Sequence, residues 1–307
     1  MKNIESNWQD NIGNFIIDLP EDFNMAANLG YLERNKNECM FEVDNGIITR
    51  VVDTGESNRL VQLQANENNQ LIVHFIDSNL STPAERTDAT RYIREWFDLD
   101  RDLSSFYELA KSDTLLERPA QEFYGLRVIG VPDLFEALCW GILGQQINLA
   151  FAYTLKRRFV EKFGVPFERN DKKYWTFPTF EKIARLTPSD LSDIKMTVRK
   201  SEYIIGIAQL MDSGELSKDQ LLAMDFKEAE KSLINIRGIG PWTANYVLMR
   251  CLRFPTAFPI DDVGLHNAIK FLRGSENKPT KEELMRLSLS WSGWQAYATF
   301  YLWRVLY

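Results

Sequence analysis

The feature that most constrains the fold is a string at 233–244 that reads LINIRGIGPWTA. It is typical of one helix that ends, a turn with glycines two residues apart, and a second helix that begins at Pro241. Gly238 and Gly240 permit backbone angles closed to other residues and let a ligand approach the main chain closely. Proline suits the first helical position, where its missing N–H has no intrahelical partner. The free amides of the turn and of the second helix would then point at an anion, such as a DNA phosphate.

A plain hairpin of two helices, in which the glycines only make the turn, is the alternative interpretation of this string. A single Gly-x-Gly pair would favour that alternative. The full pattern, L-x-x-I-x-G-I-G-P-x-T-A, is more specific and favours nucleic-acid binding. The net charge of −7 argues against a broadly polybasic DNA binder. It is compatible with a protein that grips phosphate through backbone amides and a few local cations.

A pair of acids, Asp261 and Asp262, follows Pro259 and precedes an apolar segment that begins at Val263. One interpretation is structural, because a carboxylate at a helix N-terminus caps free amides and is worth about 1 kcal/mol. The other is catalytic, because an ionised carboxylate can stabilise positive charge that develops in a reaction.

The first 80 residues or so have the pattern of β-strands. Apolar and polar residues alternate at 61–65, and turn-forming residues occupy 44–46 (DNG) and 66–69 (NENN). Strands are therefore predicted at 40–43, 47–52, 61–65 and 71–76.

From Thr82 onward the pattern becomes helical. Thr82 is predicted to cap a helix that has Pro83 at its first position and runs to Phe97. Pro132 is predicted to open another helix, and Asn148 to cap one that Gly164 stops. Further helical segments are predicted at 187–188, 199–211, 226–235, 241–252 and 291–305.

The composition, 45% hydrophobic and 26% charged, is that of an ordinary soluble globular protein. The first 19 residues lack the pattern of a secretory signal, so a cytoplasmic, nucleoid-associated protein is expected. Cys39, Cys139 and Cys251 are far apart and are expected to be buried free thiols. With only two histidines to supplement them, a zinc or iron–sulfur site is not expected.

The hairpin string and the segment 258–265 (FPIDDVGL) resemble the helix-hairpin-helix DNA glycosylase superfamily, and within it the 3-methyladenine DNA glycosylase II family. The segments 141–147 (GILGQQI) and 291–294 (WSGW) extend the resemblance from about residue 87 to the end. It implies an α+β fold, in which a small β-rich N-terminal domain precedes an all-α helix-hairpin-helix body of two helical subdomains. The implied bounds are 1–86 and 87–307 for the two domains, 227–252 for the hairpin and 255–264 for the catalytic loop.

The resemblance also implies roles for individual residues. It selects Asp262 as the catalytic aspartate and leaves Asp261 as a cap or supporting group. It implies a pocket of Trp242, Tyr246 and Trp303, whose electron-rich rings would attract a cationic base. The alternative for these aromatics is that they fill a core.

A loop at Gln145 and Gln146 aligns with the family's wedge, which enters the minor groove beside a flipped nucleotide. Gln146 stands where familiar members carry an aliphatic residue, and both glutamines have the alternative of being plain polar loop residues. The implied DNA-binding set is Gly238, Ile239, Gly240, Thr243, Gln145 and Gln146. No cofactor is implied beyond a monovalent cation, Na⁺ or K⁺, on the backbone carbonyls of Ile234, Ile236 and Gly238.

Trp242 indicates which reaction to expect. Relatives that also cut the DNA strand carry a lysine at this position, and its amine forms a Schiff base with the sugar. Lys231 and Lys270 do not match that nucleophile. No cysteine follows Cys251, so the four-cysteine cluster loop of endonuclease III relatives is not expected.

The sequence thus predicts a monofunctional, monomeric glycosylase that flips alkylated purines, of the 3-methyladenine and 7-methylguanine type, out of double-stranded DNA and hydrolyses the N-glycosidic bond. Two alternatives remain open. One is a glycosylase for another lesion, such as hypoxanthine, uracil or 8-oxoguanine. The other is a non-catalytic protein that binds damaged DNA.

Overall fold

An antiparallel sheet forms the N-terminal part of the chain in the computed structural model, which describes residues 8–11, 14–55, 57–77 and 81–307. The start of the predicted β-rich domain, residues 1–7, lies outside the described residues. Six strands pair in the order β1-β2-β6-β5-β4-β3. They are β1 Trp8–Asn11, β2 Asn14–Asp18, β3 Phe41–Asp44, β4 Ile47–Asp53, β5 Asn58–Ala65 and β6 Gln70–Phe75.

The four strands predicted from the sequence are confirmed as β3 to β6. The two-residue turn between β3 and β4 is made by Asn45 and Gly46, both with positive φ, at 50° and 78°. Such a turn matches the right-handed twist of the paired strands. Asn66 closes the next turn, since its side-chain oxygen accepts the backbone N–H of Asn68 and of Gln70.

The rest of the chain is mainly helical. One helix, α1 Met25–Leu32, lies between β2 and β3. The helices that follow β6 are α2 Pro83–Trp96, α3 Ser104–Lys111, α4 Glu117–Glu122, α5 Leu134–Leu143, α6 Leu149–Phe163, α7 Phe180–Ala184, α8 Val198–Asp212, α9 Lys218–Leu222, α10 Phe226–Ile234, α11 Pro241–Arg250, α12 Val263–Leu272, α13 Lys281–Ser290 and α14 Gln295–Arg304. A 3-10 helix spans Pro188–Ile194, and a two-stranded hairpin, β7 Pro166–Arg169 with β8 Lys172–Trp175, interrupts the helices.

The predicted caps at Thr82 and Asn148 are confirmed, and Thr82 forms a full capping box with Glu85. Two predicted helix starts were wrong. Asp133 caps α5, because its carboxylate accepts the backbone N–H of Glu136, so Pro132 lies outside the helix. The last helix begins at Gln295 instead of Trp291, because a turn at 291–294 precedes it.

One continuous set of buried apolar side chains runs through the sheet and the helical body. Trp96 of α2 packs on Phe41 of β3, with ring centroids 5.4 Å apart. On the other side, Tyr31 of α1 packs on Phe300 of α14, with centroids 4.4 Å apart. The boundary at residues 86 and 87 therefore stays a prediction, although the sheet ends before α2 begins.

The cysteines are free, as expected. Cys139 and Cys251 are buried, whereas Cys39 is only half-buried, because it lies in the segment between α1 and β3. In the described ranges we find no helix with the length and apolar character needed to cross a bilayer.

Candidate active site

The carboxylate of Asp262 lies at the start of α12 and is held by three donors. Oδ1 accepts the backbone N–H of Leu265 at 2.7 Å and the indole N–H of Trp303 at 2.7 Å. Oδ2 accepts the indole N–H of Trp242 at 2.8 Å. Asp262 is 8% exposed, so these bonds form in a largely desolvated setting. Hydrogen bonds to an ionised acceptor are stronger than neutral ones, and the carboxylate is therefore fixed in orientation.

A carboxylate offers about four acceptor positions, and described residues fill three of them here. The fourth position, on Oδ2, accepts no hydrogen bond from a described residue. The geometry therefore leaves one oxygen able to contact a sugar or a water molecule.

Asp262 itself caps α12, and the expectation that Asp261 serves as the cap was wrong. Asp261 is exposed, and its carboxylate lies 4.0 Å from the ammonium of Lys281. The two acids are separated by the geometry of the cap, which turns the first side chain outward and the second toward the aromatic residues.

The three aromatic residues that the sequence grouped are brought together. Trp242 and Tyr246, one turn apart on α11, stack with ring centroids 5.6 Å apart and planes 23° apart. Trp242 is half-buried, whereas Tyr246 and Trp303 are buried. Sequence reasoning missed that both indoles donate to Asp262, so that the rings position the acid as well as line the site.

Gly264 is a further functional position that the sequence reasoning did not single out. A Cβ built there would lie 3.0 Å from Asp262 Oδ1 and 3.2 Å from the indole of Trp303. Glycine thus allows α12 to pass close beside the bond between the acid and Trp303. This glycine is part of the sequence motif Asp-Val-Gly, but only the structure shows that a larger residue there would crowd Asp262 and Trp303.

Asn245 of α11 connects the hairpin to the catalytic loop. Its side-chain oxygen accepts the backbone N–H of Phe258 at 2.9 Å, while its amide donates to Glu230 of α10 at 2.6 Å. The second hairpin helix is therefore tied both to the first helix and to the loop that carries Asp262.

The two hairpin glycines have different roles. Gly238 has a φ of +97°, and a Cβ there would lie 2.4 Å from the ring of Tyr203. Gly240, the N-cap of α11, has an ordinary φ of −94° and open space where a Cβ would be. The expectation that both glycines adopt angles closed to other residues was wrong for Gly240, whose bare backbone instead leaves room for close approach.

Ile239 and Thr243, both predicted to bind DNA, are buried, at 4% and 2% exposure. Their side chains pack inward, and the methyl of Thr243 would lie 2.5 Å from a Cβ on Gly141 of α5. The backbone amide of Ile239 donates to the carbonyl of Ile236, so of these two residues only the amide of Thr243, in the first turn of α11, is a candidate for contact with phosphate.

The two wedge candidates also differ. Gln146 is exposed and adopts a φ of +56°, at the tip of the loop between α5 and α6. Gln145 points back to the hairpin, where its amide donates to the carbonyl of Gly238 at 2.9 Å and approaches Thr243 Oγ1 at 3.4 Å. Gln145 therefore links the loop to the hairpin, and Gln146 alone projects from it.

The carbonyls predicted to bind a cation lie at the end of α10 and in the turn. That of Ile236 accepts the N–H of Ile239, and that of Gly238 accepts the amide of Gln145. Each carbonyl oxygen has two lone pairs, so those of Ile236 and Gly238 each keep one for a further ligand, and the cation stays a prediction. The described part of the chain holds no group of three or more His, Cys, Asp or Glu side chains that could bind a metal.

Two family models and several proteins of known function match this chain. Residues 139–293 match the HhH-GPD superfamily of base excision DNA repair proteins, and residues 19–138 match the N-terminal domain of 8-oxoguanine DNA glycosylase. The chain is 65% identical over 303 residues to a DNA-3-methyladenine glycosylase of Bacillus subtilis, a match that covers 98% of this chain and 99% of that protein.

Two further glycosylases match the chain at lower sequence identity. DNA-3-methyladenine glycosylase 2 of Escherichia coli is 30% identical over 181 residues, which cover 58% of this chain and 60% of that protein. The solved structure of a 3-methyladenine DNA-glycosylase from Archaeoglobus fulgidus superposes with a TM-score of 0.82 at 24% identity, over 94% of this chain and 96% of that one. The latter likeness concerns the fold.

Proposed function

Because the chain belongs to the DNA-3-methyladenine glycosylase family, within the HhH-GPD superfamily of base excision DNA repair proteins, we propose that it excises alkylated purines from duplex DNA with Asp262 as its one catalytic carboxylate. Membership makes the protein a DNA-binding hydrolase of the N-glycosidic bond that acts on alkylated bases. The observation that supports the choice of Asp262 is its carboxylate, held by the indoles of Trp242 and Trp303.

A single carboxylate suffices for this reaction. Hydrolysis between sugars normally needs a second acid to protonate the leaving oxygen. A purine alkylated at N3 or N7 already carries positive charge, so it leaves as a neutral base without protonation. What needs stabilisation is the positive charge that develops on the deoxyribose. A carboxylate about 4 Å away supplies roughly 4 kcal/mol at an effective dielectric near 20.

The base must leave the duplex to reach Asp262. In this proposal the bare backbone at Gly240 and the amides that begin α11 grip a phosphate beside the lesion, while Gln146 fills the gap that the flipped nucleotide leaves. The face of Trp242 receives the cationic base through the attraction between a cation and an aromatic ring. A hairpin cation on the carbonyls of Ile234, Ile236 and Gly238 would strengthen the grip on the phosphate.

The proposed reaction stops at base release. Trp242 stands where a strand-cutting relative carries its nucleophilic lysine. Lys270 lies in the last turn of α12, about 12 Å along the helix axis from Asp262 in the geometry of an α-helix. The product is therefore an abasic site, and borohydride should trap no covalent adduct with DNA.

We further propose that the enzyme acts as a monomer in the cytoplasm, at the nucleoid, because its substrate is chromosomal DNA and one protomer supplies every group of the proposed site.

The test is release of 3-methyladenine and 7-methylguanine from alkylated DNA by the wild type, Asp262→Asn and Asp261→Asn. Asparagine at 262 keeps an oxygen for the cap of α12 but removes the charge. We expect its base release to fall by about a thousandfold, as roughly 4 kcal/mol implies, while DNA affinity stays near that of the wild type.

Asp261→Asn is the matched control, because this neighbouring acid is exposed and its charged partner is Lys281. It should turn over normally. Near-normal release by Asp262→Asn would remove this carboxylate from the mechanism.

A further inference from the structure

The loop that carries Asp262 is held by α11 at two points, about one helical turn apart. At one point the indole of Trp242 donates to Asp262 Oδ2 at 2.8 Å. At the other, the side-chain oxygen of Asn245 accepts the backbone N–H of Phe258 at 2.9 Å. Residues three apart on a helix share one face, so a single face of α11 holds both ends of the segment 258–262.

The segment between these two points is closed by its own backbone. The carbonyl of Phe258 accepts the N–H of Ile260 at 2.8 Å. The carbonyl of Pro259 accepts the N–H of Asp262 at 2.9 Å. From α12, Nε2 of His266 donates to the carbonyl of Ile260 at 2.7 Å. A turn closed in this way moves as one unit, so the position of the Phe258 amide sets the position of the Asp262 carboxylate.

The amide group of Asn245 reaches in the opposite direction, to the hairpin. It donates to Glu230 of α10 at 2.6 Å and to the carbonyl of Pro241 at 3.1 Å. Pro241 is the first residue of α11 and directly follows Gly240, where the proposed phosphate contact lies. One buried side chain, 6% exposed, therefore joins the part that grips DNA to the turn that carries the acid.

The partners of Asn245 specify both the identity and the orientation of its side chain. Phe258 offers an N–H, which needs an acceptor, whereas the Glu230 carboxylate and the Pro241 carbonyl offer acceptor atoms and need donors. An asparagine amide has an oxygen for the first and two N–H groups for the others. An ionised aspartate has no donor, so its second oxygen would face two acceptors.

We propose that Asn245 is a positioning residue for the reaction, which through Phe258 sets where Asp262 stands relative to the phosphate that the hairpin grips. The inference rests on the proposed function and adds a residue that touches neither DNA nor the reacting atoms. Placement matters because the carboxylate must lie beside C1′ of one particular nucleotide, the one whose backbone the hairpin holds. A misplacement of about 1 Å can cost on the order of a hundredfold in rate.

Reversing the direction of the hydrogen bonds tests this role. Asn245→Asp places a carboxylate oxygen against Glu230 where an amide donated, and the repulsion displaces the side chain from Phe258. We expect single-turnover release of 7-methylguanine from a duplex oligonucleotide to fall at least about tenfold. The dissociation constant for the same duplex should change little, because the hairpin itself is intact.

Adding Glu230→Gln to Asn245→Asp restores the match, because glutamine then supplies the donor and aspartate the acceptor. The carbonyl of Pro241 keeps its partner within the helix. The double variant should therefore recover most of the lost rate. Glu230→Gln alone keeps an oxygen for Asn245 and should be nearly as active as the wild type. Such a cycle isolates the contribution of this one contact.

The indole N–H signals report the placement of the acid independently of activity. Trp242 and Trp303 both donate to Asp262, whereas Trp96 packs under the sheet. In ¹⁵N spectra, with each signal assigned by substitution, Asn245→Asp should shift the signals of Trp242 and Trp303 and leave that of Trp96 in place. The double variant should return both signals toward their original positions.

Asn28→Asp is the matched control. Asn28 is fully buried and makes the same kinds of hydrogen bond. Its oxygen accepts the N–H of Arg127 at 3.0 Å, and its amide donates to the carbonyls of Asn24 and Gly125. These bonds join α1 to the segment between α4 and α5. Asn28→Asp should lower the melting temperature and leave the release rate and the two indole signals unchanged.

The outcomes separate this inference from the proposed function. If the wild type releases no 7-methylguanine, the proposed function fails, and the indole signals alone decide whether Asn245 positions Asp262. If the wild type is active, the positioning role is overturned by any of three results in Asn245→Asp: an unchanged rate, a parallel loss of rate and DNA affinity, or no recovery with Glu230→Gln. Asn245→Ala is the second variant in case the aspartate variant folds poorly, and its rate should also fall with DNA affinity retained.

Discussion

The indole N–H of Trp303 donates to the carboxylate of Asp262 at 2.7 Å, across the first turn of α12. Trp303 comes from α14 and the other two donors, Trp242 and Leu265, from α11 and α12, so the acid is held from three helices. A ring that was grouped with the base pocket is therefore also a positioning residue for the acid. This double role makes the orientation of the carboxylate depend on the packing of α14.

Removing only the indole N–H tests this role. Trp303→Phe keeps an aromatic ring and deletes the donor, and a hydrogen bond to a charged group is worth about 1.5–3 kcal/mol. We expect the single-turnover rate of base release to fall about 10- to 100-fold, with DNA affinity nearly unchanged.

Trp291→Phe is the control for that change. The indole of Trp291 donates to Asp113 at 2.7 Å in the buried core, away from the site. Both variants should lose stability, but only Trp303→Phe should lose activity. Equal rates in the two variants would show that the bond to Asp262 does not matter for the reaction.

Gly264→Ala should separate stability from activity. Alanine favours a helix over glycine by about 1 kcal/mol, so the substitution stabilises α12 as such. Its Cβ, however, would press on Asp262 Oδ1 and on the indole of Trp303, at 3.0 and 3.2 Å. We expect a melting temperature within a few degrees of the wild type and a base-release rate lowered at least tenfold.

Gly206→Ala provides the comparison, because Gly206 lies within α8 and has open space where a Cβ would be. It should raise the melting temperature and leave base release unchanged. If Gly264→Ala behaves in the same way, close packing at position 264 has no part in the reaction.

The hairpin glycines should respond differently to alanine. At Gly238 the positive φ and the contact with Tyr203 mean that a Cβ destabilises the folded state, by about 2–3 kcal/mol or more. At Gly240 a Cβ meets nothing within the protein. Gly240→Ala should therefore keep the fold but weaken DNA binding about tenfold, because the methyl group stands where a phosphate approaches.

Chemical denaturation and DNA-binding titrations measured on the same samples check this contrast. A Gly240→Ala protein that binds DNA as tightly as the wild type would move the phosphate contact away from this residue. A Gly238→Ala protein of wild-type stability would contradict the packing against Tyr203.

The sequence predicted those turns and helix starts that are determined by a few adjacent residues. The turn at Asn45-Gly46 and the N-cap at Thr82 each depend on a few neighbouring residues, and both are present. The small hairpin of β7 and β8 was missed, although Asn170 and Asp171 both adopt positive φ, because this residue pair is a weaker turn signal than Asn-Gly.

In the candidate site, likewise, the sequence identified residues but not the contacts between them. The resemblance identified Asp262, Trp242 and Trp303, but it carried no information on which atoms meet. The donation of both indoles to one carboxylate depends on how α11, α12 and α14 pack, which no local pattern records. Arg34 and Tyr246 line one cavity for the same reason, since they lie more than two hundred positions apart in the sequence.

Acid should destabilise the protein partly through Glu85, which joins β5 to the start of α2. Its carboxylate accepts the backbone N–H of Thr82 at 2.8 Å, the hydroxyl of Ser57 at 2.9 Å and the guanidinium of Arg59 at 2.7 Å. Burial acts to raise the pKa of Glu85, but these donors outweigh it and lower the pKa to about 2.

The folded-state pKa thus lies below the ordinary value of about 4.3 for an unfolded chain, so the stabilisation is fully present above that pH and is lost as the pH falls toward 2. At about 1.4 kcal/mol per unit, Glu85 contributes roughly 3 kcal/mol at neutral pH. We expect Glu85→Gln to lower the free energy of unfolding by a constant amount above pH 5. The difference from the wild type should shrink below pH 4.3 and approach zero near pH 2.

Urea denaturation between pH 2.5 and 7 measures this difference, with Glu283→Gln as the matched control. Glu283 holds the same position in the capping box of α13, but its partner Arg273 is solvent-accessible and 3.3 Å away. Water screens such an exposed pair, so its replacement should cost little at any pH. A gap between the wild type and Glu85→Gln that stays constant down to pH 3 would mean that the charge of Glu85 does not stabilise the junction between the sheet and α2.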